Sequence, residues 1–332
     1  MKNQKYSTKS IMEAALMSVF IIILIVITAY VPMLSMVGTA ILPIPITVLY
    51  LRQDFNTTIS CIIISIILTC FLLNPITSIT AALNYAIVGL TLGYCIKSER
   101  SSYFTLIALV LSGILATILT ALFTIWLVEN RTVMDFLNEF FAITSQYMNE
   151  SLDFTKKAYL DMGVSEDKLV IIDQMKKVLT KDFIIGVIPV TIAGYNFVSA
   201  YINMIISNMV LKRLKEKNVK VLSFTHFYIT NLFGALLIAL VCISIILKSK
   251  GVIGSSYLFV AVSGLASFAF IINGVATFSY YLIHKKKFSK SLTFIIILFT
   301  FLLKLIDIYV LIGIGEVILD LRKLDPYRIL RK

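Results

Sequence analysis

Apolar runs dominate this chain, and one polar stretch divides them. Five runs precede the division: Ile11–Val31, Leu34–Tyr50, Thr57–Leu73, Ser78–Ile96 and Tyr103–Val128. Four follow it: Phe183–Leu211, Phe224–Leu247, Tyr257–Ile283 and Ser291–Leu321. About 20 apolar residues in a helix cross the hydrocarbon core of a bilayer. Backbone groups in lipid must be paired within their own element, so each run predicts a membrane helix rather than a strand.

Two of the runs are faulted. In Leu34–Tyr50, Pro43 and Pro45 stand two apart, which an unbroken helix does not tolerate, so a break or a re-entrant turn is expected there. In Ser291–Leu321, Lys304 and Asp307 interrupt the apolar run three residues apart. On a continuous helix they share a face and form an intramembrane charged pair. A single crossing from Ser291 also sets Arg322, Lys323, Arg328, Arg331 and Lys332 on the outer side, against the tendency of basic residues to stay inside. A hairpin of two half-helices turning near Lys304–Asp307 returns them to the inside, the placement favoured here. One span and a hairpin both remain open.

Residues 129–182 hold 10 acidic and 7 basic residues, of totals of 18 and 30, so the segment is net −3 while the rest of the chain is +15. Val133, Phe136, Leu137, Phe140, Phe141, Ile143 and Tyr147 recur at helical spacing, and Ser165 before Glu166 and Asp167 reads as a helix start running to about Thr180. Two or three amphipathic helices are expected. With the N-terminus cytoplasmic, five crossings put this segment outside, in agreement with its charge.

The composition, 59% hydrophobic and 14% charged, is far from that of a soluble domain. The net charge of +12 sits in short clusters beside apolar runs, including Lys97/Arg100, Lys212 to Lys220 and Lys285 to Lys290. That is the pattern of cytoplasmic membrane flanks and argues against a nucleic-acid partner; the lipid bilayer is the expected one. Cys61, Cys70, Cys95 and Cys242 lie inside apolar runs and read as small buried hydrophobes, so no metal site is expected. The first run is too long for a signal core and reads as a retained helix.

Catalysis has no constellation to stand on. No nucleotide-binding Gly-Lys-Ser/Thr loop, HExxH or GxSxG is present, His226 and His284 stand apart in sequence, and neither a cofactor nor an enzyme is expected. The remaining chemistry lies in polar residues within spans, which are costly in lipid. Glu13 near the start of the first run is expected to snorkel toward the headgroups, and Glu316 to sit at an interface. Asn84, Asn196, Asn203, Asn208, Asn231 and Asn273 are expected to bond between helices. Asn196 and Asn203, seven apart, share a face with Tyr195 close by. Gly89-x-x-x-Gly93 permits close helix packing, within the chain or between copies.

Several stretches resemble a known family. MEAALMSVF (Met12–Phe20), LPIPITVLYLR (Leu42–Arg52), ALNYAIVGLTLGYCIK (Ala82–Lys97), NGVATFSYYL (Asn273–Leu282) and GIGEVILDLRKL (Gly313–Leu324) are similar to YybS-like bacterial polytopic membrane proteins, with Glu316 standing where that family leads one to expect Asp. More distantly, residues 1–100 resemble S components, the substrate-binding membrane subunits of energy-coupling factor transporters. That resemblance implies a partner-helix face at Ala14 and Ser18, separate coupling and ATPase subunits, and a ligand site near the broken second element with Asn84 and Tyr85, to which Asn196 and Asn203 are added as candidates. Plain helix packing is the competing reading of Ala14 and Ser18.

The expectation is therefore an all-α polytopic integral membrane helix bundle of about eight or nine membrane elements, with a helical extracytoplasmic insert, in the bacterial cytoplasmic membrane. It divides into an N-terminal membrane half (1–128), the amphipathic segment (129–182), a C-terminal membrane half (183–321) and a basic tail (322–332). A small-molecule binding or transport subunit is the leading function. A non-transporting organiser that engages envelope proteins through 129–182 is the alternative.

Overall fold

The computed structural model describes residues 8–31, 35–218 and 221–324. Leu34, Lys220, Arg328, Arg331 and Lys332, which entered the span and charge pattern above, lie outside them. Among the described residues the chain is helical and carries no strand. Among the described residues seven helices are long and apolar enough to cross a membrane, so the architecture is a polytopic helical membrane protein. Side chains such as Phe71, Leu111 and Leu232 lie exposed on these helices, as lipid-facing positions do.

The helices fall into two compact units, one of residues 1–133 with 192–221 and the other of 134–191 with 222–332. The first holds α1 (Thr8–Tyr30), α2 (Ser35–Ile41), α3 (Pro43–Arg52), α4 (Phe55–Leu72), α5 (Pro75–Lys97) and α6 (Ser102–Phe123), which ends in a π turn at Thr124–Val128. The break expected at the two prolines falls at Leu42. Both prolines then lie in the first turn of α3, where a missing backbone N–H costs no helical hydrogen bond. α5 starts the same way: Pro75 opens it and the Asn74 side chain accepts from Ile76 N at 2.7 Å.

The core of this unit joins Ile21 and Ile25 of α1, Ile46 and Leu49 of α3, Cys61 of α4 and Tyr85 of α5. Gly89 and Gly93 let α5 lie directly on α3. A Cβ at Gly89 would stand 2.7 Å from the Pro43 carbonyl oxygen, and one at Gly93 2.8 Å from the Tyr50 ring. Their spacing thus serves packing within the chain. At the C-terminal ends of α3 and α5 the charges gather: Arg52 pairs with Glu216 at 2.9 Å, Lys217 pairs with Glu99 at 2.7 Å, and the Lys97 amine stands 5.0 Å over the Tyr50 ring. The hydrogen bond from Lys217 is the main cause that holds the Glu99 carboxyl below its usual range.

The second unit holds α7 (Val133–Asp161), a 3-10 turn at Glu166–Leu169, α8 (Val170–Val178), α10 (Asn231–Ser249), α11 (Ser255–Tyr280, continued by a π turn to Lys285), α12 (Lys290–Leu302) and α13 (Ile306–Leu319). α9 (Lys181–Arg213) gives its first residues to this unit and the remainder to the other. α12 and α13 meet at a bend of 118°, so the last apolar run is two short helices. At 13 and 14 residues each is about 20 Å long, short of the ~30 Å hydrocarbon core. α13 lies backbone to backbone on α11, because a Cβ at Gly274 would overlap the Tyr309 carbonyl oxygen and one at Gly313 the Phe270 carbonyl oxygen.

Candidate functional site

A cavity of about 460 Å³ opens in the first unit, walled by the C-terminal turns of α1 and α6, the α2–α3 break, the first two-thirds of α5 and residues 195–203 of α9. Asn84, Tyr85, Asn196 and Asn203 all line it, with Pro43 at the break. The helix faces that bring them together also carry hydroxyls. Thr77, Thr80 and Asn84 recur at i, i+3 and i+7 on α5, and Thr117 and Thr120 at i, i+3 on α6. That spacing is the signal by which these threonines are legible in the sequence.

Some of these polar groups hold helices together and others remain available. Asn196 donates to the Thr117 hydroxyl at 3.2 Å and the Ile192 carbonyl at 2.9 Å. Asn203 donates to the Ala40 carbonyl at 2.9 Å, which ties α9 to α2. Asn84 donates to the Thr80 carbonyl at 3.1 Å and the Thr120 hydroxyl at 3.3 Å. The Tyr85 ring is 1% exposed, and its hydroxyl lies beside Ser65 of α4. Ser65 gives its own hydrogen to the Cys61 carbonyl, and the Tyr85 hydroxyl completes no hydrogen bond. Among the described residues the hydroxyls of Thr77, Tyr195 and Ser199 and the side-chain carbonyl of Asn84 are also uncommitted. The described lining carries no charged side chain. It offers hydroxyl donors and an amide acceptor among apolar walls, the mixture that orients a small uncharged molecule.

The second unit carries a different polar cluster. Glu316 is 4% exposed and Arg322 7%, and the guanidinium Nε donates to Glu316 Oε1 at 2.8 Å. Arg322 also donates to the Thr225 carbonyl at 3.0 Å and to Asn273 Oδ1 at 3.1 Å, and Asn273 in turn donates to the Gly313 carbonyl at 3.0 Å. Glu316 Oε2 is buried without a partner. The interfacial position expected for Glu316 is therefore corrected: the carboxylate is a buried ion-pair partner within the helix packing. Arg322 was read only as part of the basic tail. Asp320 ends α13 at φ +47, and the backbone beyond it brings Arg322 back toward Glu316, a reversal the charge pattern does not reveal. His226 and His284, far apart in sequence, stand with ring centroids 5.9 Å apart and share Tyr280 as a neighbour.

Three further expectations change. Ala14 and Ser18 are 6% and 1% exposed, and the Ser18 hydroxyl donates to the Ala14 carbonyl at 2.9 Å and sits 3.2 Å from Cys61 Sγ. α4 fills that face, so it is not free for a partner helix. Lys304 and Asp307 form no ion pair. The shared face needs one continuous helix, whereas the chain turns between them with Lys304 at φ +57, and both side chains are exposed. Glu13 does not reach freely toward water but accepts from Gln53 Nε2 at 2.7 Å, and Gln53 is bonded in turn to Ser10.

A family model described as "Predicted membrane protein (DUF2232)" matches residues 19–317. The chain belongs to that family. The DUF2232 match spans both units and takes in every cavity residue named above as well as Glu316, while Ala14, Ser18 and Arg322 fall outside it. No curated protein and no solved structure matches the chain. Family membership and the apolar helices together support a multi-pass membrane protein.

Proposed function

We propose that this chain is a membrane-embedded binding subunit for an uncharged small molecule, acting in the manner of the energy-coupling factor S components that its first hundred residues resemble. The observation that carries the reading is the cavity, in which residues from α1, α5, α6 and α9 converge beside the broken second element with no charged side chain among the described lining. The resemblance to YybS-like proteins is kept within the same proposal. Any transport is energised by separate subunits, since the sequence holds no nucleotide-binding loop. With Ala14 and Ser18 covered, such subunits dock elsewhere than on that face.

The orientation follows from charge. Arg52, Lys97 and Arg213 stand at the C-terminal ends of α3, α5 and α9, whereas the cavity takes residues from the opposite part of α5 and from the far ends of α1 and α6. Basic ends inside give a cytoplasmic N-terminus, a cavity toward the outer leaflet and residues 129–182 outside, in a bacterial cytoplasmic membrane. A reporter fused at residue 150 is expected to read as outside, and a cytoplasmic signal there inverts this assignment.

Native mass spectrometry of the gently solubilised protein tests the binding reading. A bound small molecule is expected on the natural chain. It should be absent from two variants that fill the cavity from different walls, Val88→Trp and Ser199→Phe. A chain that carries lipid alone, or an adduct that survives both substitutions, overturns the proposal.

A further inference from the structure

The polar segment carries an apolar groove that the cavity reading does not use. α7 turns Tyr147, Met148 and Leu152 toward Ile171, Met175 and Val178 of α8, and the groove between them measures about 620 Å³. Tyr147 is 69% exposed and Met175 49%, and α7 buries none of its 29 residues. An exposed apolar surface of this kind, rimmed by polar groups, marks a site of interaction. Its polar flanks are tied: Lys156 pairs with Asp173 at 2.9 Å, Lys176 with Asp153 at 2.5 Å, and Lys181 donates to Asn138 at 2.6 Å. The two ion pairs hold α7 and α8 at a spacing that leaves the groove between them.

The lower end of the groove identifies its occupant. Leu179 and Phe183 complete the lining, and Phe183 stands on the first turn of α9, which is long and apolar enough to cross the membrane. Asp182 beside it faces Tyr257 at the start of the α11 span. The apolar strip therefore continues from the groove into the level of the bilayer. A hydrocarbon chain already in the leaflet can enter along it without crossing water, which a soluble apolar ligand cannot do. Met148 and Met175 are unbranched and polarisable, suited to a flexible chain rather than to one rigid shape. From Ile171 to Val178 the groove wall runs about 10 Å, comparable with one leaflet's share of a ~30 Å hydrocarbon core. Ser151 and Gln174 are its polar lining.

We propose that this groove takes an acyl chain of a phospholipid from the adjoining leaflet, so that residues 134–182 act as a lipid clasp. The test places the full chain in nanodiscs containing a phosphatidylethanolamine with a diazirine at the end of one acyl chain, and maps the photolabel by mass spectrometry. Label is expected on residues 147–152 and 171–179 as well as on the spans. Leu152→Asp and Met175→Asp should each lower the label on those stretches at least about tenfold, because a charge in an apolar site costs several kilocalories per mole. Label on α10 should stay unchanged in both variants, which reports that the rest of the chain is folded. Phe154→Asp, on a more exposed residue outside the groove, should leave all labels unchanged. An unlabelled groove, labelling indifferent to Leu152→Asp and Met175→Asp, or a spontaneous disulfide dimer of Met175→Cys that excludes the label each overturns the proposal, the last in favour of a second copy of the chain.

Discussion

Removing the Arg322 side chain tests the buried cluster most directly. The side chains of Arg322 and Glu316 are 2% and 3% exposed, so substitution to Met strands a carboxylate that has nowhere to rehydrate. Glu316 already has one oxygen without a partner, and the loss leaves the other with only the Arg322 backbone N–H at 3.3 Å. Asn273 Oδ1 and the Thr225 carbonyl lose a donor as well. Breaking a buried ion pair from one side costs about 3–5 kcal/mol, whereas an ordinary interhelical hydrogen bond in a membrane protein is worth about 0.6 kcal/mol on average. The two regimes are well separated. Unfolding in mixed micelles with rising SDS, followed by far-UV circular dichroism, should place Arg322→Met at least about 3 kcal/mol below the natural chain. Glu316→Met alone should also destabilise, since it leaves the guanidinium buried with fewer acceptors. The double substitution should recover most of the loss, because two apolar side chains leave no stranded charge. A single-substitution loss under about 1 kcal/mol, or a double variant no better than Arg322→Met, would refute the claim that the pair is buried as described.

Two other expectations follow from particular atoms. Gly274→Ala and Gly313→Ala each drive a methyl into a backbone carbonyl of the facing helix, which cannot rotate away, so each should cost about 1–3 kcal/mol in the same unfolding measurement. Gly315→Ala, with nothing near its Cβ position, should be neutral or stabilise by up to about 1 kcal/mol. For the α7–α8 pair, the Lys156 hydrogen bond holds the Asp173 carboxyl below its usual value, and the same bond raises the Lys156 amine. The Asp173 contribution is thus present above its unfolded value and lost as pH falls through its folded one. The Lys156 contribution is lost only at alkaline pH, above the free-amine value. Amide hydrogen exchange across 150–178, corrected for intrinsic rates, should accelerate on going from about pH 7 to about pH 3, and Asp173→Asn should remove most of that dependence.

The spans were legible because a helix in lipid has to announce itself with some 20 apolar residues. The break in the second run was legible too, because two prolines cannot share a helix interior, although its position at Leu42 depended on the first turn of α3 accepting both. Asn84, Tyr85, Asn196 and Asn203 could be named singly as polar groups in apolar runs. That all four line one cavity required the packing of α5 and α9, which no spacing encodes. Ser18 and Lys304 show the opposite failure. Small-residue spacing and an i, i+3 charge pair both assume a free, continuous helix, and the chain covers the one and bends the other. Arg322 stayed hidden because a basic residue after the last span looks like every other cytoplasmic flank until the reversal at Asp320 is seen.

The uncharged lining of the cavity has an electrical consequence. Moving one elementary charge through the full membrane field is worth about 2.3 kcal/mol per 100 mV. A cavity whose described lining is uncharged, taking the uncharged molecule proposed for it, moves none of it. Under the proposed function, occupancy of this site would neither draw on the membrane voltage nor respond to it, so energising or depolarising the envelope would not alter what the site holds.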